Sequence, residues 1–380
     1  MSENANRYDA THITVVHAAE AIRKRPGMYV GSTGERGLHQ AVFEAMEHSV
    51  NEVLAGRASS VDVTLQADGG VRVADDGPGV SPEATEDSDE PSGLEALLTR
   101  MYTGVRPTGR ATATVSLVGI GPSVTNALSS RLTAEVRRHG TLWVQEYRCG
   151  VPVAPPTAVG PASGSGTTIT FWPDSDIFET VECSFAVLAG RFEELAFLNR
   201  GLSISLTDAR PAGEPRSERF LGEVQDFSFF FDASGGAPVH PDTIAFAWED
   251  SRMAGTAEVA LRWCTSHEER VRSFANSRPT SEGGSHVAGF REGVADAINT
   301  YARKRQLPAA ADPDLTSERI GEGLAAVVSV KLDHPQFEGA THGLLGNAEV
   351  RTCVREAVRE HLGRWLEGHP EEAAAIVGRM

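Results

Sequence analysis

Apolar and small residues recur at spacings of three and four where Leu38, Val42, Ala45, Met46, Ser49, Val50 and Val53 form one stripe, which predicts a helix over 38–54 stopped by Gly56. A second strip of that helix carries Glu44, His48 and Asn51 at i, i+4 and i+7, so the three polar groups can face one pocket together. The period then changes to two. Val61 to Leu65 and Val71 to Ala74 alternate as short strands around Asp68, Gly69 and Gly70, which reads as a hairpin. The turn DDGPG, residues 75–79, follows the second strand.

From Ser81 to Pro91 the chain is loop-like, and Glu83, Glu86, Asp87, Asp89 and Glu90 make it an acidic, solvated loop. Leu94, Leu97, Leu98 and Met101 restart a helical pattern. Further on, Gly119 and Gly121 stand immediately before Ser123, Val124, Ala127 and Leu128, as a loop opening a helix would. Residues 131–172 read as consecutive strands with turns near Gly140, Gly150 and Gly164, and Phe192 to Leu198 as a helix. Pro211, Gly213 and Pro215 mark either a hairpin or the approach to a domain boundary, which is placed at Gly222. Beyond it, strands are predicted around Val259 to Trp263 and Val327 to Leu332, helices around Val287 to Arg303 and Val350 to Leu366, and a linker at Pro308 to Pro313. No internal repeat is found.

With 380 residues and 40% hydrophobic content the chain can bury two cores, and the boundary gives domains 1–222 and 223–380. A formal net charge of -17 opposes a generic nucleic-acid-coating protein, because phosphate binding depends on clustered Lys and Arg. Arg303, Lys304 and Arg305 make one local basic run, read as an exposed helix end. Cys149, Cys183, Cys264 and Cys353 are scattered without a CxxC pair, so they read as reduced, mostly buried thiols rather than zinc ligands or a disulfide framework. No run of 18 apolar residues exists and the N-terminus lacks a signal pattern, so a cytoplasmic protein with no membrane association is expected.

The parts of an ATP site are all represented. Asp75 can accept the exocyclic amine of a purine, Gly77 and Gly79 let the backbone turn sharply beside it, and Val73, Val80 and Ile169 can supply apolar walls. Gly119 and Gly121 can aim backbone N–H groups at phosphates. DG and GIG are each common turn and loop signals, and the order and spacing of the whole set carries the reading.

That order resembles the DNA gyrase B family, within the wider GHKL group of ATPases. The segments AIRKRPGMYVGS (21–32), GLHQAVFEAMEHSVNEVLAG (37–56), DDGPGV, SVTNALS, GVPVAP, GSGTTITFWPD, ELAFLNRG, EGGSHVAGFRE and EGLAAVVSVKLDHPQF match its pattern in order over nearly the full chain. The resemblance implies an α+β protein: a GHKL-type ATPase sandwich of helices on a mixed β-sheet, then a transducer of the ribosomal S5 domain 2-like fold, without a topoisomerase-primase domain. It implies ATP as ligand, Glu44 as general base assisted by Gln40, Asp75 and Thr167 at the adenine, and Tyr8 on an arm that reaches a dimer partner's nucleotide. Asn51, Gly77, Gly79, Val80, Arg106, Gly119, Gly121, Ser123 and His342 complete the implied nucleotide-binding set, and His48 takes the position of the family's Mg²⁺ ligand.

Departures gather on the phosphate side. His48 replaces an asparagine, and imidazole is a poor ligand for hard, octahedral Mg²⁺. Gln40 replaces a histidine and Asn51 an aspartate. The lid reads VSLVGIG at 115–121, losing paired glycines at Val115 and Ser116 and a histidine at Val118. The transducer's QTK becomes Ala340, Thr341 and His342, without the lysine that reaches the terminal phosphate. Pro78 and Val144 stand where the family has arginines used by coumarin inhibitors, which implies weak coumarin binding. Two functions follow: a gyrase-B-like ATP-binding clamp with slow hydrolysis, or a nonhydrolytic paralogue that binds or regulates gyrase or another partner. The resemblance implies a homodimer or a heterodimer with a gyrase-B-like chain, with a gyrase-A-like chain or DNA as further partners.

Overall fold

The stripe that begins at Leu38 is buried along its whole length, from Leu38 and Val42 through Met46 and Val50 to Val53. In the computed structural model, which describes residues 17–83, 93–101, 120–210, 214–222, 231, 236–307, 317–339 and 343–379, it is one side of α3 (Glu35–Leu54). Two short helices, α1 (Ala18–Lys24) and α2 (Gly27–Val30), precede it. The helix starts a turn earlier than its apolar pattern because Glu35 and Arg36 are exposed first-turn residues that no stripe marks.

Helix α3 lies on a mixed sheet of β1 (Val61–Leu65), β2 (Val71–Asp75), β3 (Ser129–Arg138), β4 (Thr141–Arg148), β5 (Val151–Pro152), β6 (Thr157–Pro161), β7 (Gly166–Pro173), β8 (Ser203–Asp208) and β9 (Arg216–Leu221). Its order among the described residues is β5-β4-β3-β7-β2-β1-β8-β9, with β6 on β4, and β1 pairs with β8 in parallel while the other neighbours are antiparallel. The β1–β2 hairpin closes as its pattern predicts: Gly69 is left-handed at φ 83° and Asp68 accepts the N–H of Gly70 at 3.1 Å. Val73 and Ile169 stand opposite one another across β2 and β7, both buried in the first core.

Three more helices cover this sheet: α4 (Gly93–Thr99), α5 (Pro122–Ala127) and α6 (Phe185–Phe197). α6 begins at Phe185, ahead of the predicted start at Phe192, with the Ser184 hydroxyl accepting Val187 N–H at its N-terminus. Exposed Ala186 and Val187 interrupt the stripe there and hide the first turns from a periodicity reading. The stretch around 211–213 resolves as the β8–β9 hairpin, its tip outside the described residues. The acidic loop from 84, the segment 102–119, the linker Pro308 to Pro313, Tyr8, Arg106, Gly119 and His342 also lie outside them.

The C-terminal half has its own sheet and core. Strands β10 (Ile244–Asp250), β11 (Gly255–Trp263), β12 (Arg270–Ala275), β13 (Arg278–Pro279), β14 (Gly283–Gly284), β15 (Leu324–Leu332), β16 (Phe337–Glu338) and β17 (Leu344–Leu345) follow in sequence. Five of them form the order β10-β11-β15-β12-β13, and β14-β17-β16 make a small separate sheet. Helices α7 (Ser285–Lys304), α8 (Ser317–Gly321), α9 (Ala348–Gly368) and α10 (Pro370–Val377) complete it. α7 and α9 approach closely: a Cβ on Gly289 would lie 2.2 Å from the Arg351 carbonyl oxygen, so the glycine is what permits the contact.

A third apolar cluster joins the halves: Leu198 meets Phe231, Ala260, Cys264, Phe274, Ala325 and Val327. Beside it Glu194 on α6 pairs with both Arg191 and Arg272, Arg191 donates to the Ser277 carbonyl at 2.7 Å, and Asn199 exchanges hydrogen bonds with the Ser277 hydroxyl at 2.8 and 3.1 Å. The four cysteines are free as expected, three buried and Cys149 partly exposed in the turn after β4. Among the described residues no helix is long and apolar enough to cross a membrane.

Candidate functional site

Asp75 ends β2 and is only 3% exposed. Its Oδ1 accepts Gly77 N–H at 3.0 Å and Thr167 N–H at 3.2 Å, and its Oδ2 accepts the Ser49 hydroxyl at 2.8 Å. A carboxylate has about four acceptor positions, so these donors leave one on Oδ2 for an amine. Thr167 is tied twice, because its hydroxyl also accepts Val80 N–H at 3.1 Å. Gly79, beside Val80, gives its carbonyl to the Arg138 guanidinium at 2.6 Å. Gly166 is left-handed at φ 141°, and a Cβ there would lie 2.1 Å from the Asp75 carbonyl oxygen. The backbone of β7 can come this near to the DDGPG turn only at a glycine.

Glu44 lies one strip round α3 and is 2% exposed. Its Oε1 accepts the Gln40 amide at 2.7 Å, and its Oε2 accepts the backbone N–H of Ile120 at 2.8 Å and Gly121 at 2.9 Å. Burying a carboxylate costs several kcal/mol, and three hydrogen bonds to the charged form offset that cost. Gly121 leads into α5, which is pinned to α3 by the Thr125 hydroxyl on the Ala41 carbonyl at 2.6 Å. Ser123 is buried in α5, and its hydroxyl has no partner among the described residues. From the C-terminal half, Arg278 Nη1 reaches within 3.8 Å of Glu44 Oε1.

Between these two groups sits His48, half-buried on the same helix. Burial pushes its imidazole below the ordinary 6.5, against the upward pull of Asp75 and Glu52, and Arg57 adds to the depression. Burial would raise Glu52, but the forked contact from Arg57, at 2.7 and 2.8 Å, together with the attraction of His48 holds the carboxyl low. A neutral imidazole beside two carboxylates does not fit Mg²⁺, whose ligands are oxygens in tight octahedral geometry. Among the described residues no cluster of three or more His, Cys, Asp or Glu side chains could hold a metal. Asn51 is buried one turn further along α3.

The helix thus carries both clusters, Glu44 toward the backbone of Ile120 and Gly121 and Ser49 toward Asp75. Gln40, Glu44, His48 and Asn51 lie on the helix, Asp75, Gly77, Gly79, Val80 and Thr167 at or just beyond the ends of β2 and β7, and Gly121 and Ser123 at the start of α5. Sequence reasoning missed Ser49, Gly166 and Arg278. Ser49 falls in the apolar stripe, and only its position next to His48 hints at the site.

Residues 33–177 match the family described as histidine kinase-, DNA gyrase B-, and HSP90-like ATPase. This half therefore has the GHKL fold, helices on a mixed sheet. Residues 225–380 match the DNA gyrase B model. The 43K ATPase domain of Thermus thermophilus gyrase B, solved in complex with an aminocoumarin, is 32% identical, with 95% of this chain and 93% of that chain covered at a TM-score of 0.73. The chain belongs to the DNA gyrase B family. It is 45% identical to the novobiocin-resistant DNA gyrase B of Streptomyces niveus, covering 97% of this chain and 57% of that protein. The DNA gyrase B of Streptomyces coelicolor is also 45% identical, covering 97% and 56%. The chain thus spans a little over half the length of these relatives.

Proposed function

We propose that the chain is a gyrase-B-like, ATP-binding and slowly ATP-hydrolysing clamp module of a type II topoisomerase. The observation that carries the reading is the buried Glu44 carboxylate, held by Gln40 and by the backbone N–H groups of Ile120 and Gly121 at the opening of α5. A general base must be fixed within hydrogen-bond reach of its water, and such groups typically contribute roughly 10²–10⁴-fold. Glu44 takes the proton of the attacking water, Gln40 orients the carboxylate, and Asp75 with Thr167 holds the adenine. Gln40 supports turnover because it still donates to the base where the family has a histidine. Mg²⁺ is not assigned to His48, and the weak metal position is the reason for slow hydrolysis.

The proposed division at Gly222 is supported by the separate sheets and cores on its two sides. Dimerisation, a gyrase-A-like partner and DNA come to the chain from its family. Weak aminocoumarin binding follows from Pro78 and Val144. ATP binding and turnover measured with Mg²⁺, beside Glu44→Ala, tests the whole: binding with slow phosphate release that disappears in the variant supports it. Absence of ATP binding in the unmodified chain would sink it.

A further inference from the structure

β12 ends in two left-handed residues, Asn276 at φ 48° and Ser277 at φ 61°, before β13 turns back with Arg278 at its start. The turn is held from two sides. Asn276 accepts Leu332 N–H at 2.9 Å and donates to the Leu332 carbonyl at 3.0 Å, while Ser277 is bound by Asn199 and Arg191 of the N-terminal half. The backbone of Arg278 is therefore fixed against both halves, and its side chain, 16% exposed, faces Glu44 at 3.8 Å. Both line a cavity of about 410 Å³ between α3 and this hairpin, together with Gln40, Glu47, Arg36 and Arg191.

Glu44 and Glu47 are both buried, one turn apart on α3, and a Cβ at Gly121 would lie 3.5 Å from the Glu47 carboxylate. A polyphosphate brought to this place meets two carboxylates, so a cation must offset the repulsion. Arg191 is engaged with Glu194 and the Ser277 carbonyl. Arg36 stands two turns before Glu44, about 12 Å along the helix axis. Among the described residues that line the cavity, Arg278 is the cation that reaches Glu44, at 3.8 Å, and a planar guanidinium matches phosphate geometry.

Building on the assignment of Glu44 to ATP hydrolysis, we propose that Arg278 contacts the terminal phosphate of ATP, supplied from the C-terminal half across the interdomain cavity. Through it the triphosphate, and not the diphosphate, bridges the two halves. The test is calorimetric binding of ADP and of the β,γ-imido analogue of ATP to the unmodified chain, Arg278→Gln and Arg278→Lys. Expected are a roughly tenfold loss of affinity for the triphosphate analogue in Arg278→Gln, unchanged ADP affinity, and a smaller loss in Arg278→Lys. Equal losses for both nucleotides, or no loss for either, overturn the assignment while the ATP reading stands. Failure of the unmodified chain to bind either nucleotide overturns both.

Discussion

Ser49 and Asp75 are joined at 2.8 Å, hydroxyl to carboxylate, so the long helix and the second strand share one buried hydrogen bond inside the proposed adenine site. Removing the donor leaves Asp75 short of a partner at 3% exposure. Ser49→Ala should cost about 1–2 kcal/mol of stability by urea unfolding. It should also weaken ATP about tenfold by calorimetry, because the carboxylate loses its fixed direction. Unchanged ATP affinity would show that Gly77 and Thr167 suffice to orient it.

Glu44→Gln keeps the shape of the side chain and an oxygen for the Ile120 and Gly121 amides but removes the proposed base. Turnover should fall at least about a hundredfold. ATP affinity should stay within about threefold, and Gln40→Leu should lower turnover roughly tenfold through a misdirected Glu44. Phosphate release and equilibrium binding on the same preparations distinguish these outcomes from misfolding.

Two glycines of one segment make an internal control. Gly166→Ala drives a methyl to 2.1 Å from the Asp75 carbonyl, whereas Gly164→Ala, at φ 72°, meets nothing within 4 Å. The first should lose several kcal/mol and ATP binding together, the second about 1 kcal/mol and no binding. Equal midpoints in thermal melts would contradict the close approach of β7 to the turn.

Glu194 neutralises Arg191 from its own helix and Arg272 from the opposite half. Glu194→Gln removes the carboxylate shared by part-buried Arg191 and exposed Arg272 and should cost about 2 kcal/mol, mostly from the charged hydrogen bond lost to Arg191, since Arg272 keeps its contact with water. Calorimetry should then show the two halves melting separately. A single transition at the original midpoint would place the coupling in the apolar cluster around Phe231 and Phe274 instead.

His286 is fully buried, and burial pushes its pKa down to about 3. The folded chain keeps it neutral while the unfolded chain protonates it near 6.5, so below that pH the unfolded state binds more protons. Its contribution is complete above 6.5 and declines as pH falls toward 3, by about 1.4 kcal/mol per pH unit. Urea midpoints at several pH values should show a shallower acid slope in His286→Met; a slope unchanged from the parent would assign acid sensitivity to His39, His48 and His240, whose pKa values burial also lowers.

Much of the N-terminal site was legible because its carriers obey simple periods. The strip through Glu44, His48 and Asn51 follows from helical spacing, and Asp75 from alternation that ends at a glycine turn. What escaped was tertiary. The Ser49 hydroxyl finds its acceptor across 26 positions of chain, so helical periodicity sorts it with the small apolar residues. Arg278 comes near Glu44 only once the second sheet is docked, and nothing local to its hairpin marks it. Other misses did leave a signal: β10 alternates Ile244, Phe246 and Trp248 toward the core, and α10 opens with Pro370 followed by Glu371 and Glu372.

The buried cysteines fall one to each apolar cluster: Cys183 in the first core, Cys353 in the second and Cys264 in the patch between them. Burial raises the thiols of Cys183 and Cys353 to about 12 and about 11, so neither is a nucleophile while its core is closed. An alkylating reagent followed by mass spectrometry therefore finds Cys149 first, and each later modification times the opening of one particular cluster. The unaltered chain carries three internal clocks, able to tell whether the seam between its halves parts before either core does.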